Sequence, residues 1–219
     1  MSGVLTLALE ASTSTGSVAI LEDRELLAHR EVAMRSGAEE HLLPAIDAAL
    51  GEAGATTSAL ARIVCGAGPG SFTSLRVSAS LAKGIAFAHH LPLFAVPSLA
   101  LIAADPSLAD GTYLAVLDAL RGDVFAGTYL RAGDSVTELA PVRLVARDAL
   151  AHEAAALRAT VIGPEEHPRT PPRAANVVRL GAWLALPPAS LASWEPDYGR
   201  LAEAQVKWEQ AHGRPLPVA

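Results

Sequence analysis

Residues that could take part in binding or catalysis are concentrated in two short loops of the sequence. Gly66, Gly68 and Gly70 lead into a predicted helix, and Glu10 ends a predicted strand just before a turn rich in Ser and Thr. Glycines let a backbone approach a phosphate closely, and a helix N-terminus offers unpaired N–H groups. An acid at a strand end followed by a Ser/Thr turn is one way in which ATPases hold Mg²⁺ and phosphate. The candidate nucleotide-binding residues are therefore Glu10, Ser12, Thr13, Gly68 and Gly70.

Both loops also fit a purely structural interpretation. The glycine loop matches neither G-x-G-x-x-G nor the phosphate-binding P-loop, and no lysine follows it before Lys83. A tight strand-to-helix turn, with Ser71 or Thr73 as the N-cap, needs the same residues. The turn after Glu10 fits a hairpin whose hydroxyls satisfy the backbone. The residues alone leave both interpretations open.

Other catalytic chemistry finds no support in the sequence. None of the seven histidines has another His four residues further along, and His152-Glu153 lacks the second His that a metalloprotease helix needs at position 156. Cys65 lies in an apolar segment, which favours a small core residue over a reactive thiolate. No Ser sits in a G-x-S-x-G elbow. We therefore predict no metal site and no catalytic residue.

Composition limits the class of protein further. The chain has 219 residues, a net charge of −6, 51% apolar residues and a mean hydropathy of +0.30, which excludes disorder. A pI near 5.6 disfavours binding of nucleic acid by this chain alone. Residues 84–104 carry no charge, but Pro92 and Pro97 argue against a membrane span. With no targeting segment evident, we expect a cytoplasmic protein whose core is large or whose surface is partly covered by a partner.

The elements that position the two loops follow from hydrophobic periodicity and turn residues. In the first half, strands are predicted at 4–9, 17–21, 25–32, 63–65 and 93–96, and helices at 42–50, 73–88 and 98–104. In the second half, strands are predicted at 113–117, 124–130, 139–144 and 161–162, and helices at 148–157, 177–186 and 202–210. Pro44 must lie in the first turn of its helix or kink it. The alternation of strands and helices predicts an α/β fold.

The helix at 73–88 has an unusually wide apolar and small-residue surface. One stripe at strict four-residue spacing consists of Ser74, Ser78, Ala82 and Ala86, and a second consists of Val77, Leu81, Ile85 and Ala88. Short side chains at this spacing allow another element to pack closely. Burial within this chain and docking of a second protein both fit the pattern.

Five segments of the chain resemble the TsaB (YeaZ) family, the dimerisation subunits of the bacterial tRNA threonylcarbamoyladenosine machinery. The segments are 7–13 with 17–19, 41–47, 68–76 with 82–84, 117–125, and 196–200. The most specific is 68–76, which reads G-P-G-S-F-T-S-L-R. Together they span nearly the whole chain in the family's order.

The resemblance implies the actin-like ATPase fold, built from two ribonuclease H-like lobes, which we expect at residues 1–105 and 106–219. It also implies a noncatalytic scaffold that supports TsaD, the subunit that transfers threonylcarbamoyl to the tRNA adenosine beside the anticodon. Family members form homodimers when alone and heterodimers with TsaD, and the ATPase TsaE joins that complex. The expected tRNA contact is through the complex only. No tightly bound cofactor is expected, and a nucleotide would lie at a subunit interface.

The resemblance places the partner contacts on the two helices near residues 41–50 and 71–88. The predicted partner-contacting residues are His41, Leu42, Leu43, Ile46, Ser71, Ser74, Leu75, Arg76, Ser78 and Ala82. Glu10 stands where many relatives carry Asp. Its longer side chain would displace a Mg²⁺–water cluster, which disfavours independent ATP hydrolysis.

Three alternative functions remain. A self-sufficient ATPase of the same fold would bind ATP as an isolated chain. A metallopeptidase, an activity once assigned to this wider group, is disfavoured because the chain has no H-x-x-x-H pair. A tRNA-binding module that acts alone is disfavoured by the charge of −6.

Overall fold

The first of two sheets is mixed, with a parallel half and an antiparallel half. The computed structural model describes residues 3–34, 41–199 and 212–213. Five strands lie in the order β3-β2-β1-β4-β5. They are β1 (Leu5–Glu10), β2 (Thr15–Glu22), β3 (Glu25–Ala33), β4 (Arg62–Gly66) and β5 (Leu93–Val96). Strands β1, β4 and β5 are parallel, whereas β2 and β3 continue the sheet as an antiparallel meander.

Helices cover both faces of this sheet. On one face, α1 (Leu42–Glu52) contacts β2 and β3, and α2 (Phe72–Ala88) lies over β1, β4 and β5. On the other face, α3 (Ser98–Ala103) packs against the second sheet as well. Pro44 lies in the first turn of α1, as predicted, where its missing N–H breaks no helical hydrogen bond.

The second sheet has four strands in the order β8-β7-β6-β9. They are β6 (Gly111–Asp118), β7 (Asp123–Ala132), β8 (Ser135–Ala146) and β9 (Thr160–Ile162). Strands β6, β7 and β8 form antiparallel hairpins, and β9 joins β6 in parallel after α4 (Leu150–Leu157). A strand that pairs in parallel with its neighbour needs a crossover connection, and α4 forms part of the connection to β9. This helix lies on the outer face of the sheet, where it covers a small apolar cluster.

The largest core lies between the two sheets. All six residues of α3 are buried there, together with apolar side chains from both sheets, such as Val64 of β4 and Tyr129 of β7. A helix that is apolar on every side requires such a position, because no face of it is suited to water. The α3 helix therefore holds the two sheets at a fixed distance.

After the second sheet, the chain returns to the first. A 3-10 helix (Ala174–Arg179) packs against β1, β2, β3 and β4, and the one-turn α5 (Gly181–Leu184) contacts β5. Asn176 donates to the carbonyl of Leu101, and the Ala174 amide donates to Ser17 Oγ. The division into lobes at residue 105 stays a prediction. The segment from 174 to 199, which belongs to the second predicted lobe, contacts the first sheet.

Most predicted elements are confirmed within a few residues, including the order of strands and helices through α3. The helix predicted at 177–186 is wrong in type, because the chain forms a 3-10 helix and then a single α turn. Gly181 interrupts the pattern, and Pro187 and Pro188 prevent its continuation. The helix predicted at 202–210 lies outside the described residues. No helix of the described residues is long and apolar enough to cross a bilayer.

The stripe of small residues on α2 faces the protein's own sheet. Ser74, Ser78, Ala82 and Ala86 are at most 2% exposed, and α2 makes its main contacts with β4. Short side chains at four-residue spacing let the helix axis approach the sheet closely, so the stripe is explained by packing within this chain. Ser78 Oγ donates to the Leu75 carbonyl, which satisfies the one polar group at the centre of the contact.

This burial corrects the predicted partner contacts. Six of the ten predicted residues are buried in the core of this chain and are not available to a partner: Leu42, Ile46, Ser74, Leu75, Ser78 and Ala82. Ser71 lies at the N-cap of α2, beside the cleft, with its hydroxyl 2.9 Å from that of Ser74. Leu43 and Arg76 are exposed and His41 is half-buried, and these three stay predictions. The placement of partner contacts on these two helices stays a prediction, whereas the choice of their buried face is wrong.

Arginine substitutions at Ser78 and Ser80 compare the buried face of α2 with its exposed face. Ser78→Arg places an unpaired charge against β4 and should lower the free energy of unfolding by at least about 3 kcal/mol. Ser80 is on the exposed side, so at a concentration where the chain is monomeric Ser80→Arg should change that free energy by less than about 0.5 kcal/mol. Urea unfolding of both variants measures the difference. Equal stability of the two variants would contradict the packing described above.

Candidate functional site

A cleft of about 1370 Å³ opens beside the core between the two sheets, at the end where β1 and β6 finish. One wall comes from the first sheet: the Ser/Thr turn after β1 and the loop that leads into α2. The opposite wall comes from the β6–β7 hairpin and from residues 163–172, the proline-rich loop after β9. Of the predicted nucleotide-binding residues, Ser12, Thr13 and Gly70 line the cleft, whereas Glu10 and Gly68 are not among its lining residues.

Glu10 is a structural carboxylate beneath the wall of the cleft. Its side chain is 0% exposed. Oε1 accepts a hydrogen bond from the Ser12 amide at 2.5 Å, and Oε2 accepts one from Ser98 Oγ at 2.8 Å. Ser98 Oγ in turn accepts from the Gly68 amide at 3.1 Å. The carboxylate therefore ties the turn after β1 to the glycine loop, and both of its oxygens are occupied by protein donors.

Burial raises the pKa of the Glu10 carboxyl above its ordinary value, although the hydrogen bonds from Ser12 and Ser98 oppose this shift. A buried carboxyl that is neutral for part of the pH range is poorly suited to hold a divalent cation. Together with its enclosed position, this argues against a role for Glu10 in a Mg²⁺-dependent step.

The glycines of the loop are explained by contacts with the protein itself. A Cβ at Gly66 would collide with Glu10 Oε2, and one at Gly70 would collide with the Ser12 carbonyl. Gly68 has a φ of +88°, and a Cβ there would collide with the Asp197 carbonyl. Each glycine thus permits the close approach of a protein oxygen, so the structural interpretation of this loop accounts for all three.

Two arginines of the cleft are already paired with carboxylates. Arg147 lies 3.4 Å from Asp118, 3.3 Å from Glu165 and 3.1 Å from Glu166. Arg173 reaches Glu31 at 2.8 Å and the buried Asp105 at 3.1 Å. The pairs of Arg147 connect the β6–β7 hairpin to the proline-rich loop. The pair between Arg173 and Glu31 connects the end of that loop to β3. These ion pairs reduce the positive charge that the cleft can offer to a phosphate.

Sequence reasoning missed several residues that form these contacts. The sequence pattern assigns no role to Ser98, Arg147 or Arg173, and none to the proline-rich loop. The spacing of Ser98 after Pro97 marks a helix start, but no local pattern reveals that its hydroxyl meets Glu10 across 88 residues. Such partners depend on the strand order, which brings the ends of β1, β4 and β5 together.

Possible metal ligands and the thiol of Cys65 are the other candidates for chemistry in this chain. Within residues 3–34, 41–199 and 212–213, no group of three or more His, Cys, Asp or Glu side chains could hold a metal ion. Cys65 is fully buried, and burial raises the pKa of its thiol to about 12. The interpretation of Cys65 as a small core residue is confirmed.

The raised pKa of Glu10 gives a testable dependence of stability on pH. Because the folded state binds the Glu10 proton more tightly than the unfolded chain, the free energy of unfolding should fall as the pH rises from 4.5, the ordinary value, through the raised pKa. Glu10→Gln stays neutral and should flatten this part of the profile. Glu25→Gln, at an exposed position on β3, is the control and should retain the slope. Urea unfolding over a pH series measures both, and an unchanged slope in Glu10→Gln would contradict the assignment.

Comparison with known sequences identifies a family of relatives. Residues 31–165 match the family model described as TsaD, tRNA N6-adenosine threonylcarbamoyltransferase. The Bacillus subtilis (strain 168) protein named tRNA threonylcarbamoyladenosine biosynthesis protein TsaB is 27% identical, over 92% of this chain and 96% of its own length. The Escherichia coli (strain K12) protein of the same name is 29% identical, over 67% of this chain and 64% of its own length.

Comparison with solved structures gives the same result for the fold. A Pseudomonas aeruginosa crystal structure, titled as an uncharacterized protein with similarity to peptidase YeaZ, superposes with a TM-score of 0.76 at 28% identity. It covers 90% of this chain and 100% of that one. A structure titled YeaZ, from the same organism, gives a TM-score of 0.73 at 26% identity over 89% and 99% of the two chains.

The two structural matches each extend over about nine tenths of this chain. They confirm the predicted α/β fold of the actin-like ATPase type. The chain therefore belongs to the TsaB (YeaZ) family of tRNA threonylcarbamoyladenosine biosynthesis proteins.

Proposed function

We propose that this chain is a noncatalytic, cytoplasmic subunit that supports a tRNA N6-adenosine threonylcarbamoyltransferase of the TsaD type. The names of its relatives supply the pathway, since they are called tRNA threonylcarbamoyladenosine biosynthesis proteins. A TsaE-type ATPase is the proposed third component, and tRNA is contacted through the assembled complex.

The environment of Glu10 is the observation that carries the noncatalytic role. The acid at this strand end is the residue that the sequence offers as a Mg²⁺ ligand, yet both of its oxygens accept hydrogen bonds, from Ser12 and Ser98. To reach the cleft, the carboxylate would have to break both bonds and leave the Gly68 loop without its support. The cleft wall is thus built for rigidity, which suits a scaffold better than a site of phosphoryl transfer.

The proposed docking surface is the side of α1 and α2 that points away from the first sheet. We call it the outer face, and define it by Leu43, Pro44, Asp47, Thr73, Val77, Ser80, Gly84 and Phe87. Phe87 is 74% exposed and Leu43 is 51% exposed. Large apolar side chains at this level of exposure, on two helices that cover the same side of the sheet, favour burial by another protein. The proposed occupants are a second copy of this chain when it is alone, and the TsaD-type enzyme in the complex.

A transferase assay tests the proposal. Threonylcarbamoylation of tRNA by the TsaD- and TsaE-type proteins of the same cell should fall at least tenfold when this chain is omitted. Phe87→Glu should reproduce the loss, because a charge would be buried at the contact. Leu139→Glu, at an exposed position of β8 on the other sheet, is the matched control and should be as active as the unmodified chain.

The same assay contains the results that would contradict the proposal. Full activity without this chain would exclude a supporting role. Full activity and normal co-purification of Phe87→Glu would exclude the outer face. Equal losses in Phe87→Glu and Leu139→Glu would point to a general effect of added charge instead.

For nucleotide, we propose that the isolated chain binds none tightly and that any nucleotide of the complex lies at a subunit interface. Calorimetry of the isolated chain with Mg-ATP should therefore give no binding in the micromolar range. Micromolar binding that is lost on adding a chelator would instead favour the self-sufficient ATPase, since it would require a metal-dependent site in this chain.

A further inference from the structure

Residues 189–199, which we call the strap, run along the first sheet. At its start, the Ala189 amide donates to the Leu93 carbonyl of β5 at 2.7 Å. In its middle, Leu191 and Trp194 pack against the core beneath α2, and Lys83 Nζ donates to the Trp194 carbonyl at 3.0 Å. These contacts fasten the first part of the strap to the first sheet and to α2.

The end of the strap crosses from α2 to the second sheet. The Tyr198 ring lies 4.5 Å from the Phe72 ring, at the beginning of α2. Gly199 has a φ of +66°, and a Cβ there would collide with the ring of Phe125 on β7. Upstream, the Asp197 amide donates to the Ala67 carbonyl of the glycine loop at 2.8 Å. Tyr198 and Gly199 therefore sit between one wall of the cleft and the other, and both line it.

Arg76 secures this end of the strap. Its guanidinium lies 4.0 Å from the centroid of the Phe72 ring and 5.6 Å from that of Tyr198. Its Nε donates to Tyr198 Oη at 3.4 Å. A cation over two aromatic rings favours the arrangement in which both rings are held together. Arg76 itself is exposed on α2, so it can be changed without disturbing the core.

We propose that Tyr198 and Gly199 form a latch across the mouth of the cleft, and that Arg76 is the positioning residue that holds the latch shut. The strap stays anchored as far as Asp197, by the contacts of Leu191 and Trp194 and by the hydrogen bond from the Asp197 amide to Ala67, so the latch opens beyond Asp197. Opening withdraws Gly199 from Phe125 and frees the β6–β7 hairpin to move away from the glycine loop. This device depends on contacts within the chain, and it is independent of any partner or nucleotide.

Amide hydrogen exchange of the full chain tests the latch. Arg76→Ala should speed exchange about two- to fivefold in the peptide containing 195–199, as expected from loss of an exposed cation–π contact. Exchange in the hairpin peptide 118–125 should accelerate by the same factor, because Phe125 loses its contact with Gly199. Lys83→Met removes a strap contact outside the latch, so it should affect residues 190–195 and leave 118–125 unchanged.

A second variant makes the result decisive. Tyr198→Ala removes the ring itself and should accelerate exchange in 118–125 at least as much as Arg76→Ala. Faster exchange in 195–199 without any change in 118–125, in both variants, would overturn the latch and leave only a fraying strap. Unchanged exchange in both peptides would overturn it as well.

Discussion

The close contact between α2 and the first sheet is the constraint on which the rest of the structure depends. Ser74, Ser78 and Ala82 are short enough for the helix to lie directly on β4. This contact orients every other side of α2. Its N-terminus is brought to the cleft, Arg76 and Lys83 are turned toward the strap, and Phe87 is left on the surface. A bulky residue anywhere in the stripe would shift the outer face, the latch and the cleft wall together.

The cleft illustrates how a fold can keep a site's shape while its residues serve another purpose. The Ser/Thr turn and the glycine loop are the two segments that the sequence offers as a nucleotide site. Here Glu10 connects the two loops through Ser12 and Ser98, and the opposite wall holds Arg147 and Arg173 in ion pairs. These interactions stabilise the shape of each wall, and they occupy groups that could otherwise bind a ligand. Walls of fixed shape suit the scaffold role proposed above, because a partner docked on the outer face would then meet one defined surface.

Much of the fold could be predicted from the sequence because its strands and helices carry strong local periodicity. The β-β-β-α-β-α-β-α order and the position of Pro44 needed only pattern and turn chemistry. The orientation of α2 could not be predicted, because short side chains at four-residue spacing suit a sheet beneath and a partner above equally well. The contacts of Glu10 with Ser98, and of Arg76 with Tyr198, were equally inaccessible, since each joins residues that are distant in sequence. The return of residues 174–199 to the first sheet likewise depends on tertiary packing that no local pattern encodes.

Accessibility of a thiol placed on the outer face tests the central claim most directly. The native Cys65 is fully buried, so Ser80→Cys and Leu139→Cys each provide a single reactive thiol, one on α2 and one on β8. We predict that the TsaD-type enzyme slows maleimide labelling of Ser80→Cys at least tenfold and leaves labelling of Leu139→Cys unchanged. Equal labelling of Ser80→Cys with and without the enzyme, under conditions in which the two proteins co-purify, would contradict the account.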